Sequence, residues 1–391
     1  MRYNFDKVID RSGTSAEKVE GLKHIWGRTD LIPLWVADMD FATAPFVTDA
    51  IRKRCENEVL GYTGKPDSYY NAIINWVKQR YDLIVTKEVI NFVPGIVPGI
   101  GMAMNCFTQK GDKVMIQPPV YHPFAWVTIR NERTLVLNPL KWENGMYRMD
   151  LDAFREQIKG CKLFILCNPH NPGGVVWTEA ELRAIADICY DEKVLVFSDE
   201  IHADLTLPPH THRPFATVSE KARMNSVTFM SPSKAFNMPG LSASHALIFN
   251  EDLRKRFRIY MDAGELDMGH VFAFLSVEAA YSHGTEWLDQ CLAYIQGNID
   301  FVDEFLKKHA PKIKAIRPEA SYLVWLDCRE LELSQKDLNE FFVDKAHLAL
   351  NDGEMFGKEG IGFMRLNVAS PRCIIEKAMK QLADAYQLYI K

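Results

Sequence analysis

The sequence has no long run of apolar residues, no excess of charge of one sign and no Cys-x-x-Cys motif. No uncharged apolar stretch approaches the roughly 18 residues that a membrane-spanning helix needs, so we expect no association with a membrane. The 46 basic and 51 acidic residues are interspersed and leave a net charge of −5. A chain without a basic face has no electrostatic basis for binding nucleic acid, so we expect no partner of that class.

The eight cysteines are scattered through the chain, and several lie within apolar segments. Cys167, for example, ends an apolar run that begins at Leu163. Cysteines in such positions are typical of small buried hydrophobic residues in a reducing compartment. The N-terminal residues also lack the apolar stretch of a signal peptide, so the sequence predicts a cytoplasmic protein.

Two pairs of polar residues have spacings that metal ligands can have. His210 and His212 lie in a Pro-rich loop with no acidic or cysteine residue close to them in the sequence, and we interpret them as loop histidines. Asp38 and Asp40 are not followed by a Gly-rich calcium loop. The sequence therefore predicts no metal site.

Short apolar runs alternate with amphipathic segments through the middle of the chain. The runs are Val114–Gln117, Thr134–Leu137, Lys162–Cys167, Val194–Ser198, Val227–Met230 and Ala246–Phe249. Short runs that are nearly continuous in apolar residues are typical of strands covered on both faces. Between two of them, the segment 179–191 has helical spacing and opens with a capping-box pattern from Thr178 to Glu181. This alternation predicts an α/β fold with a mostly parallel sheet.

The pattern changes near residue 284. Long helical segments then flank three strand-like runs, at Ala315, Tyr322–Leu326 and Phe363–Leu366. This arrangement predicts a smaller α+β domain. We therefore expect residues 48–283 to form a large domain, and residues 1–47 and 284–391 to form the small one.

The segment Ser231-Pro-Ser-Lys234 directly follows the apolar run that ends at Met230. A lysine just past a buried strand, with two hydroxyls upstream, suits an amine that forms a Schiff base while the hydroxyls bind a phosphate. Pyridoxal phosphate requires that combination, so Lys234 is predicted as the catalytic lysine, and Ser231 and Ser233 as phosphate donors. Taken alone, a serine-rich turn that ends in lysine is more typical of a solvated loop, so this prediction depends on further residues.

Asp199 and Asn171 supply two further groups that pyridoxal phosphate needs. Asp199 follows a predicted central strand, where its carboxylate could keep a pyridine nitrogen protonated; the alternative is an aspartate that caps the next turn. Asn171 could donate its amide to the phenolate oxygen, although its Pro/Gly-rich surroundings are most often a simple turn. Asp199 lies 28 residues after Asn171 and 35 before Lys234. Each spacing is about one strand–helix crossover, so the three side chains can meet at one sheet edge.

A phosphate site and a stacking residue complete the predicted cofactor site. The segment 94–100 is rich in glycine and proline and precedes a helix predicted at Met102–Phe107. Backbone N–H groups at a helix start bind phosphate, which makes the amides of Ile96 and Val97 candidates. Tyr121 could place its ring against the pyridine, although tyrosine is also a common core residue.

Together, five motifs make the chain resemble the fold-type-I pyridoxal phosphate enzymes of the aminotransferase class I/II superfamily. Within that superfamily it is most similar to the MalY/PatB-type cystathionine β-lyases, or C–S lyases, over nearly its whole length. The motifs are Trp35-Val-Ala-Asp-Met-Asp-Phe41, Gly61-Tyr-Thr63, Asn168-Pro-His-Asn-Pro-Gly173, Ser198-Asp-Glu-Ile-His202 and Ser231-Pro-Ser-Lys-Ala-Phe-Asn237. The resemblance implies a seven-stranded, mostly parallel sheet in the large domain and a homodimer with shared active sites.

The resemblance also implies roles for individual residues. Lys234 would form the Schiff base, and Tyr62 would reach the phosphate of the cofactor in the neighbouring subunit. Arg365 would bind the substrate α-carboxylate, for which a guanidinium fork is suited, and the backbone of Ala37 would approach the same carboxylate. Judged without the family, Arg365 is typical of a surface arginine at the end of a strand.

Three positions depart from the pattern of related enzymes. Ser242 stands eight residues after Lys234, where many related aminotransferases carry a phosphate-binding arginine. His202 stands where those enzymes usually have a tyrosine that faces the phenolate oxygen; it could donate there or be a structural histidine. Both departures favour the C–S lyase branch. The segment 17–20, Glu-Lys-Val-Glu, replaces the Lys-Trp-Asp expected of the subgroup, which weakens the inference about substrate.

The leading hypothesis is therefore a cytoplasmic homodimeric lyase that cleaves cystathionine or cysteine-type substrates to a thiol, pyruvate and ammonia. The alternative is an aminotransferase of the same superfamily, because both reactions begin with loss of the α-proton. A third hypothesis is a regulatory or protein-binding module that keeps the fold without the activity. The intact set Asn171, Asp199, Lys234 and Arg365 argues against a loss of catalysis.

Overall fold

The computed structural model describes residues 2–389. Its strands are β1 Ile32–Pro33, β2 Ile90–Val93, β3 Lys113–Ile116, β4 Thr134–Leu137, β5 Lys141–Glu143, β6 Met146–Arg148, β7 Cys161–Cys167, β8 Leu195–Asp199, β9 Ser226–Met230, β10 Ser244–Leu247, β11 Lys314–Ile316, β12 Leu323–Asp327, β13 Leu348–Ala349, β14 Asn351–Asp352 and β15 Phe363–Asn367. Its α-helices are α1 Glu17–Trp26, α2 Pro45–Cys55, α3 Asp67–Tyr81, α4 Ile96–Phe107, α5 Pro123–Arg130, α6 Leu151–Gln157, α7 Glu179–Asp191, α8 Glu220–Met224, α9 Glu251–Asp262, α10 Val271–His283, α11 Thr285–His309, α12 Gln335–Glu340 and α13 Arg372–Tyr389. A π-helical turn, Phe341–Lys345, continues α12.

Seven strands form the main sheet, in the order β2-β10-β9-β8-β7-β3-β4. Neighbours from β9 to β4 are parallel, and only β10 runs antiparallel to its two neighbours. Every residue of β2, β9 and β10 is buried, as expected for strands covered on both faces. The predicted α/β fold with a seven-stranded, mostly parallel sheet is confirmed.

Helix α7 shows how a local sequence signal sets an element boundary. The Thr178 hydroxyl accepts from the Glu181 amide at 3.2 Å, and the Glu181 carboxylate accepts from the Thr178 amide at 2.9 Å. This reciprocal capping box satisfies two N–H groups that would otherwise lack partners at the helix start. Leu182 and Ile185 then lie on the buried face. The predicted helix is confirmed with the same bounds.

The start of one helix and the presence of one strand differ from the predictions. Helix α4 begins at Ile96, so the prediction that it begins at Met102 is wrong by six residues. Pro98 is compatible with the first helical turn, because the N–H that proline lacks has no partner there. Gly99 lies within the helix, so it does not mark a loop.

Strand β2 was not predicted, because its short sequence Ile-Asn-Phe-Val carries a polar residue. That residue, Asn91, is buried and bonds the Ala246 carbonyl.

A second, antiparallel sheet has the order β11-β12-β15-β14 and is formed by residues 314–367. Near the N-terminus, β1 pairs in parallel with β13, which joins Ile32 to Leu348. This two-stranded pairing links the first part of the chain to the segment that directly precedes β14 of the second sheet. It supports our proposed division into a large domain, 48–283, and a small domain, 1–47 with 284–391. No helix within residues 2–389 is long and apolar enough to cross a membrane.

Candidate active site

A cavity of about 300 Å³ lies at one edge of the main sheet. The segments after β2, β7, β8 and β9 all reach it, because those strands end at the same edge. Of the predicted site residues, the cavity is lined by Ala37, Ile96, Val97, Tyr121, Asn171, Asp199, His202, Ser233 and Lys234. The fold therefore brings together side chains that are far apart in the sequence, at the position where open α/β sheets bind ligands.

The amine of Lys234 points to the N-terminal segment. Its Nζ donates to the carbonyl oxygen of Ala37 at 2.5 Å. Burial lowers the pKa of Lys234 to about 8, although the charges of Asp38 and Asp199 oppose that change. A lysine with this pKa keeps part of its population neutral near pH 7, which a nucleophile or a general base requires.

Asp199 is the last residue of β8, and its carboxylate is enclosed. Its Oδ1 accepts from the amide of Ile201 at 3.0 Å. Burial raises the pKa of Asp199 to about 7 despite that hydrogen bond. A carboxylate in this environment is stabilised by any cationic or N–H group that enters the cavity beside it.

Asn171 and Arg365 are joined behind the cavity. Arg365 Nη1 donates to Asn171 Oδ1 at 3.0 Å, which leaves the NH₂ group of Asn171 as the donor available to the cavity. Arg365 Nη2 also donates to the Trp35 carbonyl at 3.2 Å and to Asn351 Oδ1 at 2.5 Å. The guanidinium packs over the ring of Phe356, and burial lowers the pKa of Arg365 to about 10.

Arg365 is 3% exposed, so the interpretation of its sequence position as typical of a surface arginine is wrong. The signal missed was the buried character of β15, in which the arginine is flanked by Met364 and Leu366. Sequence reasoning also missed the hydrogen bonds from this guanidinium to Asn351 and to the Trp35 carbonyl. Asn351 belongs to no motif, and a backbone carbonyl such as that of Trp35 carries no side-chain signal, although Trp35 itself opens the first of the five motifs.

The phosphate end of the cavity is formed by backbone and hydroxyl groups. The amides of Ile96 and Val97 lie in the first turn of α4, where a helix has no internal partner for its N–H groups. Ser233 lines the cavity, and so do Ser242 and Ser244, which were not predicted as binding residues. Among the described residues that line the cavity there is no arginine. A bound phosphate would therefore be held by few formal charges.

Ser231 and Tyr62 are the two predicted cofactor residues that do not line the cavity. The hydroxyl of Ser231 donates to the Ala243 carbonyl at 2.8 Å and accepts from the Ser233 amide at 3.1 Å. Ser231 thus shapes the loop that carries Lys234. Tyr62 is 98% exposed, in a surface segment away from the cavity of its own subunit.

Two buried histidines, His202 and His212, have surroundings that the sequence did not reveal. His202 is buried at the cavity, and its Nδ1 has no partner among the described residues. Burial lowers the pKa of His202 to about 3, so the imidazole is neutral. His212 does have an acidic partner, because its Nε2 lies 2.8 Å from the buried Glu200 carboxylate. His212 is thus a loop histidine, as interpreted from the sequence, with an acidic partner that lies 12 residues away in the chain.

The comparisons with known proteins agree with this geometry. The chain belongs to the aminotransferase class I and II family, whose model matches residues 29–382. It is 38% identical over 384 residues to cystathionine β-lyase PatB of Bacillus subtilis, an alignment that covers 98% of this chain and 99% of that protein. It is 30% identical to protein MalY of Escherichia coli, with 98% of each chain covered. The resemblance inferred from the motifs is confirmed.

A solved structure is similar over the whole chain. Cystalysin from Treponema denticola, whose structure contains pyridoxal 5′-phosphate, superposes with a TM-score of 0.96 at 33% identity, covering 100% of both chains. The groups of the present site fit the same cofactor. The phosphate of the cofactor matches the unpartnered N–H groups at the start of α4, and its ring nitrogen matches the enclosed carboxylate of Asp199. Its phenolate oxygen matches the free NH₂ of Asn171 and the unpartnered Nδ1 of His202.

Proposed function

We propose that the protein is a pyridoxal phosphate-dependent C–S lyase that acts on cystathionine or cysteine-type substrates. The observation that carries this proposal is the meeting of Lys234, Asp199 and Asn171 in one cavity, with the Arg365 guanidinium bonded to Asn171 behind it. The similarity to PatB, which is named a cystathionine β-lyase, supports this activity over the alternative of an aminotransferase.

Each residue of the cavity would hold one part of the cofactor or substrate. Asp199 would bind the protonated ring nitrogen, Tyr121 would pack on the ring, and Asn171 would donate to the phenolate oxygen. The amides of Ile96 and Val97 would hold the phosphate, together with the hydroxyls of Ser233, Ser242 and Ser244. Ser231 would contribute through the loop that it fixes, and His202 would donate to the phenolate oxygen or serve as a structural histidine.

The substrate would be oriented by its α-carboxylate. The guanidinium of Arg365 is already fixed by Asn171, Asn351 and the Trp35 carbonyl. The Nε–H of Arg365 has no partner among the described residues, and a charged guanidinium that is already fixed binds a carboxylate with little loss of side-chain entropy. The backbone of Ala37 lies beside Lys234 and would face the same end of the substrate.

When bound, pyridoxal phosphate supplies an aldehyde that condenses with amines and a ring that withdraws electrons from the substrate α-carbon. Lys234 Nζ would take the proton from that carbon as a general base, and the carboxylate of Asp199 would keep the ring nitrogen protonated. The electron pair left on the α-carbon would form a C=C bond as the C–S bond breaks with both electrons on sulfur. Hydrolysis of the three-carbon remainder would give pyruvate and ammonia.

Incubation with cystathionine alone tests the proposed reaction. The lyase releases a thiol and pyruvate in equal amounts without a 2-oxo acid. An aminotransferase consumes substrate only when a 2-oxo acid is present, and no thiol is released in proportion. Thiol formation that depends on an added 2-oxo acid would contradict the proposal. The matched control is Lys234→Ala, which should lose both turnover and the visible absorbance of lysine-bound cofactor.

We also propose a homodimer in which Tyr62 of one subunit reaches the phosphate end of the other subunit's cavity. The segment that carries Tyr62 has exposed apolar side chains at Val59 and Leu60, which favours its burial against a second copy. Lys65 anchors the end of this segment through Asp267 at 2.5 Å. The cytoplasmic location stays a prediction from the cysteine pattern.

A further inference from the structure

Lys18 is the one lysine among the largest fully buried side chains of the described residues, with 0% of its surface exposed. Its Nζ lies 2.8 Å from Asp40 Oδ2 and 3.6 Å from Asp38 Oδ1. It also donates to the Asp38 carbonyl at 3.4 Å. A buried ammonium is stable only when opposite charges and hydrogen bonds replace its water, because the desolvation cost is several kcal/mol. The fold therefore holds this charge against two specific aspartates.

Arg11 completes a four-charge group that we name the N-terminal ion cluster: Arg11, Lys18, Asp38 and Asp40. The Arg11 guanidinium binds Asp38 through contacts of 2.6 and 3.1 Å and Asp40 through one of 3.2 Å. The side chains of Arg11, Asp38 and Asp40 are 25%, 13% and 21% exposed. Two positive and two negative charges leave the cluster neutral. Removal of either cation would leave a net negative charge on Asp38 and Asp40.

Both aspartates belong to one irregular segment, residues 35–41, which we name the N-terminal strap. Its Ala37 carbonyl accepts from Lys234 Nζ at 2.5 Å and from the Tyr322 hydroxyl at 2.9 Å. The strap is thus a direct contact of the catalytic amine. Asp38, the next residue, connects that contact to Arg11 and Lys18.

Side chains next to the catalytic residues hold the rest of the strap. Asn237, three residues after Lys234, donates to the Met39 carbonyl at 3.0 Å and the Phe41 carbonyl at 2.7 Å. Asn367, two residues after Arg365, donates to the Val36 and Asp38 carbonyls at 2.7 and 2.6 Å. These bonds fix the backbone of the strap. The ion cluster, in contrast, determines the net charge around the strap.

Charged and titratable groups face Lys234 from four directions. They are Asp38 on the strap, Asp199 and His202 at the end of β8, Arg365 on β15 and Tyr322 before β12. Among the charges, Asp38 has the largest effect on the pKa of Lys234 and raises it, which partly offsets the effect of burial. His202 is neutral, because burial lowers its pKa to about 3. Burial is the larger influence on the pKa of Lys234, and Asp38 is the charge through which the ion cluster can act on it.

We propose that Arg11 and Lys18 are positioning residues for Lys234, because they neutralise Asp38, the charged residue directly after Ala37, whose carbonyl holds the lysine amine. This inference deepens the proposed function. Its test uses the cofactor-free protein, so the result does not depend on whether C–S bonds are cleaved.

Competitive acetylation measures the proton affinity of Lys234 directly. Cofactor-free protein is treated with a trace of acetic anhydride at a series of pH values, and mass spectrometry quantifies acetylation of the peptide that contains Lys234. Only the neutral amine reacts, so the profile gives the pKa. Arg11→Met should raise that pKa by on the order of one pH unit, because an unneutralised Asp38 stabilises the ammonium. Asp38→Asn should lower it by a similar amount.

Lys18→Met should also raise the pKa of Lys234. If that variant does not fold, Arg11→Met alone tests the proposal, because Arg11 is partly exposed. Arg11→Lys, which keeps the charge, should restore most of the wild-type value. Arg28→Met is the matched control, because Arg28 pairs with Asp30 and Asp344 instead, and should leave the profile unchanged. An unchanged pKa in Arg11→Met and Asp38→Asn, or changes of the same sign in both, would overturn the proposal.

Discussion

Asn171 and Arg365, which lie 194 residues apart in the chain, share a hydrogen bond of 3.0 Å from Nη1 to Oδ1. The bond couples a residue that follows β7 in the main sheet to a residue of β15 in the second sheet. It uses the acceptor atom of the Asn171 amide and leaves the donor for the cavity. One contact therefore orients a cofactor-binding group and a substrate-binding group at once.

Arg365→Lys should weaken substrate binding far more than it slows turnover. A lysine offers a point charge with three donors in place of a planar fork with five, so it cannot replace the bonds to Asn171, Asn351 and the Trp35 carbonyl and still bind the substrate carboxylate. We expect KM for cystathionine to rise by roughly 10–100-fold, which corresponds to the 1.5–3 kcal/mol of a charged hydrogen bond. Steady-state kinetics measure this. Arg329→Lys, at a half-exposed guanidinium that pairs with Asp327, is the control, and an equal effect of both changes would contradict the assignment.

Asp199 should make the stability of the cofactor-free protein depend on pH. The pKa of Asp199 is raised to about 7 in the folded state and is near 4 in the unfolded chain, so between those values the folded state binds more protons. The free energy of unfolding therefore falls as pH rises from about 4 to about 7. Urea unfolding at pH 5 and pH 8 should show a loss on the order of 3 kcal/mol from this group.

Asp199→Asn should abolish that contribution and leave the cofactor-free protein more stable than wild type at pH 8. The same substitution should reduce turnover, because a neutral amide cannot keep the ring nitrogen protonated. Gain of stability with loss of activity separates a functional carboxylate from a structural one. A wild-type protein whose stability is the same at both pH values and unaffected by the substitution would contradict the role of burial at this site.

Most of the main sheet could be predicted because its strands other than β2 carry their own signals. The runs before Asn171, Asp199 and Lys234 are nearly continuous in apolar residues, and their ends place the three polar side chains at one edge. Helix α7 is likewise marked by its capping box. In these elements local sequence and tertiary burial point to the same structure, so reading the pattern was sufficient.

The remaining parts of the site depend on contacts that no local pattern carries. Arg365 is buried only because Asn351 and the Trp35 carbonyl, from two other segments, meet it across the second sheet. Lys18 has the sequence surroundings of an exposed helical lysine and becomes buried through Asp40. The N-terminal boundary of α4 was missed because its glycines serve close packing.

Gly99→Ala tests whether the glycines of α4 serve close packing. A Cβ at Gly99 would lie 2.9 Å from Val93 Cγ2 and 3.2 Å from Phe229 Cε1, so α4 would have to move from the sheet. We expect a loss of about 1–3 kcal/mol in the free energy of unfolding, and weaker cofactor binding, because the amides of Ile96 and Val97 would shift. Gly297→Ala in α11 is the control, because its Cβ would have Arg372 Nη2 as its nearest neighbour, at 3.5 Å.

Urea denaturation of the two variants should therefore give opposite signs. Gly297→Ala should stabilise the protein by up to about 1 kcal/mol through its higher helix propensity. Gly99→Ala should destabilise it in spite of the same propensity. Equal stabilisation in both would show that α4 does not pack closely on Val93.

Mixed dimers test the proposed role of Tyr62. Tyr62→Ala and Lys234→Ala should each lose most activity as pure dimers, the first because the cofactor phosphate loses a partner and the second because the amine is absent. When the two variants are unfolded together and refolded, each mixed dimer regains one site with both residues. Random reassociation should then restore about one quarter of wild-type activity. Tyr62 has no contact with its own cavity, so failure of the mixture to regain activity, with dimers confirmed by size, would exclude a shared site.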